Sequence, residues 1–224
     1  MKRHIKLMVS SLLVLSLMIL LAGCGNKNKE IVFEPEMSSV YVCDDGTLLC
    51  AGVEDFSESY YDINELKAFA EEQVASFNEA AGGAAAAYDT EESEEDDNLP
   101  VSIKDCYALE DKAVLILACK DYNNYYEINN LDEYEEVISS IEVTTIKNMK
   151  NSEEAFEADI FKADGTTVAI DKVLKKNKYH VVKASGKGTI EVQGVIKFVS
   201  ANVVVNEDAT AATVSGDVSY IIYK

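Results

Sequence analysis

Residues 189–223 read TIEVQGVIKFVSANVVVNEDATAATVSGDVSYIIY. β-Branched and aromatic residues fill this stretch in short runs, and Asn, Asp and Gly punctuate it. That is the pattern of strands separated by turns. It predicts strands over 189–199, 203–205 and 213–223, with Gln193-Gly194 as a bulge or a turn that splits the first of them. Upstream, strands are expected over 156–161, 166–169 and 179–183. Ala163-Asp164-Gly165 marks a turn there, and 170–176 fits a short helix. From about Val143 the chain is expected to be strand-rich and antiparallel.

The preceding part is mixed. Val40-Tyr41-Val42 and Leu48-Leu49-Cys50-Ala51 flank Asp44-Asp45-Gly46, which predicts a β-hairpin within 38–55. Asp62 followed three residues later by Glu65 fits a helix N-terminus. Ile63, Leu66, Phe69 or Ala70, Val74 and Phe77 then recur at helical spacing until Gly82-Gly83. A second hairpin is expected over 101–120, with Val114-Leu115-Ile116-Leu117 as a buried strand and Glu110-Asp111 near the turn. Helical spacing returns between Asp121 and Ile141, where Tyr122, Tyr125 and Tyr126 fall at i, i+3 and i+4. Such a stripe forms the edge of a core or a platform that stacks on a sugar ring. The fold class is α+β: antiparallel hairpins with helices over 31–142, then a β-rich region over 143–224. The division near 142–157 separates two domains or falls inside one.

Between these regions, 84–99 is an acidic loop. Seven of the nine residues from Asp89 to Asp97 are acidic. The segment is expected to be solvated and self-repelling, because it lacks the Gly-punctuated Asp and Asn spacing of an EF-hand loop.

The N-terminus has its own logic. Lys2, Arg3 and Lys6 precede an almost wholly apolar run over 7–21, which ends in Leu21-Ala22-Gly23-Cys24 and turns polar at once. The order positive, apolar, small-residue cut site is that of a secretory signal peptide over 1–23. The four-residue ending resembles the lipobox of bacterial lipoproteins. That resemblance implies a diacylglyceryl group on the Cys24 thiol and cleavage between Gly23 and Cys24 by a type II signal peptidase. It also implies a lipidated tether over 24–30 and a domain held by membrane lipid on the extracytoplasmic face of a bacterial membrane.

Composition narrows the function. The chain has 40 acidic and 20 basic residues, and three of the basic ones lie within 1–23. Arg3 is the sole Arg, so the mature chain has none, and His180 is its one His. Nucleic-acid affinity rests on Lys and Arg against phosphate, so no nucleic-acid partner is expected. Arg and His also carry most anion recognition and acid–base work.

Four cysteines remain beyond Cys24: Cys43, Cys50, Cys106 and Cys119. Each pair lies in one hairpin. Local disulfides Cys43–Cys50 and Cys106–Cys119 are one reading, and buried free thiols are the other. A turn centred on Gly46-Thr47 sets Cys43 opposite Cys50, and one centred on Asp45-Gly46 does not. The spacings suit neither zinc nor a redox Cys-x-x-Cys. His180, between Tyr179 and Val181-Val182, reads as a strand residue without triad partners. Lys172, Lys175, Lys176, Lys178, Lys183 and Lys187 form a basic island. It either pairs with the chain's own acidic segments or touches anionic polymer or headgroups. The phosphate-loop, Gly-x-Ser-x-Gly and His-Glu-x-x-His motifs are missing. The expectation is a non-enzymatic binding or envelope-structural lipoprotein with no cofactor and no metal. Its partner would be a protein or an envelope polymer. A surface hydrolase built from carboxylates is the alternative.

Overall fold

The structure is a computed structural model that describes residues 33–89, 99–131 and 137–224. The expected signal peptide with Gly23, the expected tether with Cys24, and the acidic run 90–98 lie outside the described residues. Pro35–Lys224 forms one compact unit, distinct from Met1–Glu34. The fold is α+β.

The elements run β1 (Ser39–Val42), β2 (Leu48–Asp55), α1 (Ile63–Ala80), β3 (Val101–Leu109), β4 (Lys112–Cys119), α2 (Tyr122–Ile128) and β5 (Ile138–Thr145). They continue with α3 (Ile146–Asn151), β6 (Ile160–Lys162), α4 (Ile170–Leu174), β7 (His180–Val192), β8 (Ile196–Ser200), β9 (Val203–Val205) and β10 (Ala211–Tyr223). The strands lie in the order β3-β4-β2-β1-β7-β10-β8-β6, with β5 on β7 and β9 on β10. Each of these pairs is antiparallel except β1 with β7.

Local chemistry explains the element ends. The Asp62 and Asp121 carboxylates accept from the N–H groups of Asn64 and Asn124, and Thr145 Oγ1 accepts from that of Asn148. Each side chain satisfies an amide that the first helical turn leaves without a partner. The first hairpin turns through Asp44-Asp45-Gly46, with Gly46 at φ +92 and the Cys43 N–H donating to the Thr47 carbonyl.

Two expectations change. The helix after Asp121 stops at Ile128, because Asn129 caps it and Asn130 turns left-handed (φ +48), and 138–145 is a strand instead. Of 156–161 only the end is strand, and 166–169 contributes a single bridge, Phe161 to Thr167. The run 189–199 splits in two around Gly194, in keeping with the Gln193-Gly194 turn. Of the two arrangements left open near 142–157, the contacts give one: residues 142–157 lie within the unit Pro35–Lys224, and β5 pairs with β7 along Ile138 to Thr145.

β7 and β10 are the long ribbon that organises the rest. Val192 N–H donates to Thr210 O and Ile196 N–H to Ala209 O, while Val195 and Lys224 exchange both backbone bonds. Both ends of β10 therefore meet the same short connection, so the ribbon folds back on itself. Its corner lies at the paired residues Gly186 and Gly216, with φ +94 and +129. Strands that bend in this way switch from one packed layer to another. Val182, Ala184, Ile221 and Tyr223 of one arm share a core with Ile190, Val192, Ala212 and Val214 of the other. Each fully buried Val or Ile there stabilises by ~1.5–3 kcal/mol. The opposite face of the first arm, Val181, Tyr220 and Ile222, packs against Ile146 and Met149 of α3 and Val173 of α4.

Helix α1 lies beside β3. Ala70, Val74 and Asn78 are its buried residues, whereas Phe69 is 59% exposed. The Asn78 amide donates to Ala86 O and Val101 O and accepts from Val101 N–H. The first part of the acidic loop is thus packed, against expectation. Ala87 is buried, its carbonyl accepts from Ile103 N–H, and Asp89 accepts from Ser102, Leu99 N–H and Lys104. Burial pushes the Asp89 carboxyl up, but these hydrogen bonds and the Lys104 charge outweigh it and hold the group below its usual range.

Candidate functional cleft

β10 occupies one edge of β7 along its length. The other edge is shared: β5 pairs with residues 180–186 and β1 with 190–192. Between them Lys187, Gly188 and Thr189 lie at a fork in the sheet. A cleft of about 550 Å³ opens there, within the size range of small-molecule sites. Its floor includes Gly52 of β2 and Leu115 of β4, which are register partners. Phe56, Leu66, Tyr122, Tyr125 and Ile138 form apolar walls, and Ser38, Glu54, Asn129 and Lys187 add polar groups.

Two glycines shape the fork. A Cβ on Gly188 would sit 2.8 Å from two side-chain carbons of Ile138, so the absent side chain lets β5 close over β7. A Cβ on Gly52 would meet nothing within 4 Å, so that position contributes open volume.

The tyrosines come from α2. Tyr122 is buried and its hydroxyl donates to Ile138 O at 2.8 Å, tying the helix to β5. Tyr125 packs beside it with ring centroids 5.7 Å apart. Burial drives both phenols well above their ordinary range, with smaller contributions from Cys50 and Cys119. They stay neutral at physiological pH and present aromatic surface to the cleft.

Among the described residues the cysteines are four buried free thiols. The two local disulfides do not form, for reasons of register. The three-residue turn places Cys43 opposite Thr47, while Cys50 faces Val40 on one side and Leu117 on the other. Cys106 faces Leu115, and Cys119 faces Val101 and Leu48. The thiols that do meet are Cys50 and Cys119, diagonal neighbours across β2 and β4 and hydrogen-bonded to each other. Burial raises the Cys50 thiol, with Cys119 adding to it, and burial with Asp45 and Asp44 lifts Cys43 to about 12. Thiols held this way are protonated and inert. Among the described residues no group of three or more His, Cys, Asp and Glu side chains is placed to hold a metal.

His180 lies away from the cleft, paired across strands with Tyr223 and stacked on its ring at 5.1 Å. Lys183 bonds Glu157 at 2.6 Å. Sequence reasoning singles out Tyr122 and Tyr125 but not the fork, whose position depends on β1 and β5 sharing one edge of β7. No helix among the described residues is long and apolar enough to cross a membrane. No protein-family model, curated protein or solved structure matches the chain.

Proposed function

We propose that the chain is a lipid-anchored extracytoplasmic lipoprotein whose domain binds an apolar or amphipathic small molecule in the fork cleft and carries out no chemistry on it. The observation that carries the binding reading is the apolar cleft itself, walled by neutral tyrosines and floored by a glycine with open space above it. The anchoring reading rests on Lys2 to Cys24: a basic start, an apolar run and a small-residue ending at a cysteine.

Two measurements test these halves separately. Nile red, a neutral apolar dye, should bind the chain saturably with a blue-shifted emission. Gly52→Leu fills the cleft and should weaken that binding by roughly tenfold or more, the effect of overpacking by ~1–3 kcal/mol. Dye binding unchanged by Gly52→Leu would place the ligand elsewhere and sink the cleft reading. For the anchor, Cys24→Ala should abolish incorporation of labelled fatty acid and leave an unprocessed precursor. Labelling that persists in this variant would refute the lipobox assignment.

A further inference from the structure

We infer that the lysine-rich face built by α3, α4 and the loop after α4 is a docking surface for anionic lipid headgroups. The fold rearranges the island of the sequence: Lys183 pairs with Glu157 and Lys187 lines the cleft, while two lysines of α3 join the others. Ile146 N–H donates to Tyr179 O at 3.0 Å and Lys147 N–H to Asn177 O at 3.3 Å, while Lys150 Nζ donates to Asn177 Oδ1 at 3.2 Å. These bonds zip α3 to the loop, so Lys147 and Lys150 join Lys172, Lys175, Lys176 and Lys178. Ile146, Met149 and Val173 point into the core beneath, and all six lysines are exposed.

The carboxylates on the same two segments are Asp171, Glu153 and Glu154, half as many as the lysines. The ion pairs among the described residues, Lys104–Asp89 and Lys183–Glu157, involve none of the six. A cationic face therefore stands on a chain of net charge −20. A uniformly acidic domain is repelled by an anionic surface, so this face is the one that can approach it. Ile170, which opens α4 and is 42% exposed, supplies an apolar contact suited to a bilayer interface. That contact favours headgroups over a soluble polyanion. The attraction needs neither an acyl chain on Cys24 nor an occupied cleft, so it stands or falls apart from the proposed function.

The test uses residues 25–224, which contain the whole compact unit and carry no acyl group. Sedimentation with vesicles of phosphatidylglycerol and phosphatidylcholine should carry the protein down at low salt. Vesicles of phosphatidylcholine alone should not, and binding should fade as salt shortens the screening length. Lys175→Gln with Lys178→Gln should cut partition by roughly fivefold for each lysine. Lys112→Gln with Lys120→Gln, an equal charge change on β4 and its end, should leave it unaltered. Lys175→Arg with Lys178→Arg should retain binding, which separates lost charge from misfolding. Equal loss in both Gln pairs, or equal partition onto both vesicle types, overturns the inference. So does association with soluble polyphosphate without association with phosphatidylglycerol vesicles, since that outcome assigns the face to a polymer.

Discussion

Asn78→Leu is expected to cost about 3–5 kcal/mol of folding stability, a large share of the ~5–15 kcal/mol a domain has in total. The residue is fully buried on α1 and uses all three of its hydrogen bonds on backbone: Ala86 O, Val101 O and Val101 N–H. Val101 begins β3, the terminal strand of the sheet order, whose outward backbone groups have no neighbouring strand among the described residues. The Asn78 amide stands in for that strand. It gives Val101 the donor and acceptor that a paired peptide would supply, and it closes the loop at Ala86. Leucine keeps the volume and removes the partners, leaving two buried backbone groups of Val101 and the part-buried Ala86 carbonyl unsatisfied at ~1–3 kcal/mol each, less where a carbonyl finds a second donor or water. Asn78→Asp keeps the acceptor for Val101 N–H but sets a carboxylate against two carbonyl oxygens, so it should be no milder. Glu72→Leu, on the exposed side of the same helix, should stay within ~0.5 kcal/mol. Urea denaturation of the three variants decides the matter. A midpoint for Asn78→Leu equal to that of Glu72→Leu would show that the amide is not the tie described.

What is legible in the sequence is local. Both hairpins follow from turn chemistry: Asp44-Asp45-Gly46 closes the first, and Glu110-Asp111 the second, with Glu110 taking a left-handed φ of +54. The start of α1 follows from Asp62. Legibility fails where one periodicity runs into another. Tyr122, Tyr125 and Tyr126 are truly helical, but spacing alone extends the helix past Asn129 and Asn130 into a strand whose Ile138 and Ile141, three residues apart, also happen to suit a helix. The buried face of α1 is only partly visible, because Asn78 looks like a surface residue until its partners on β3 are known. The cysteine pairing fails by register: Cys43 faces Thr47, three residues short of Cys50, and Cys106 faces Leu115, four short of Cys119. The candidate cleft is illegible because it belongs to no element. It exists where Val40 meets Ile190 and Ile138 meets Gly186 along one strand edge, contacts between residues remote in sequence. The lysine face is half legible for the same reason: Lys147 and Lys150 join it only through Asn177 and Tyr179.

Gly186→Ala should lower the folding stability by at least ~3 kcal/mol, or roughly 6–12 °C in Tm for a domain of this size. Two independent costs act at one atom. The backbone holds φ +94, a region in which an L side chain is strained by about 1–2 kcal/mol. A Cβ there would also stand 2.1 Å from Val137 O and 2.9 Å from Ser139 N. Those are backbone atoms of the segment that opens β5, where the register slips between Ile138 and Ser140. A flexible side chain could swing aside, but this backbone can retreat only by moving the whole strand end. Such a movement breaks the bond from Lys187 N–H to Val137 O and shifts Ile138, the carbonyl that Tyr122 binds. The fork therefore loosens on three sides: β5, the bend in β7 and the tyrosine helix. Gly52→Ala is the proper contrast. It lies on the same cleft, has an ordinary φ and meets nothing within 4 Å, so restricting the unfolded chain should leave it neutral or up to ~1 kcal/mol more stable. Thermal unfolding of the two alanine variants, measured beside Nile red binding, separates these outcomes. Gly186→Ala should lose both stability and dye affinity, while Gly52→Ala should keep its stability. If Gly186→Ala melted with the unsubstituted chain, the corner of the β7–β10 ribbon would not lie where its glycines place it.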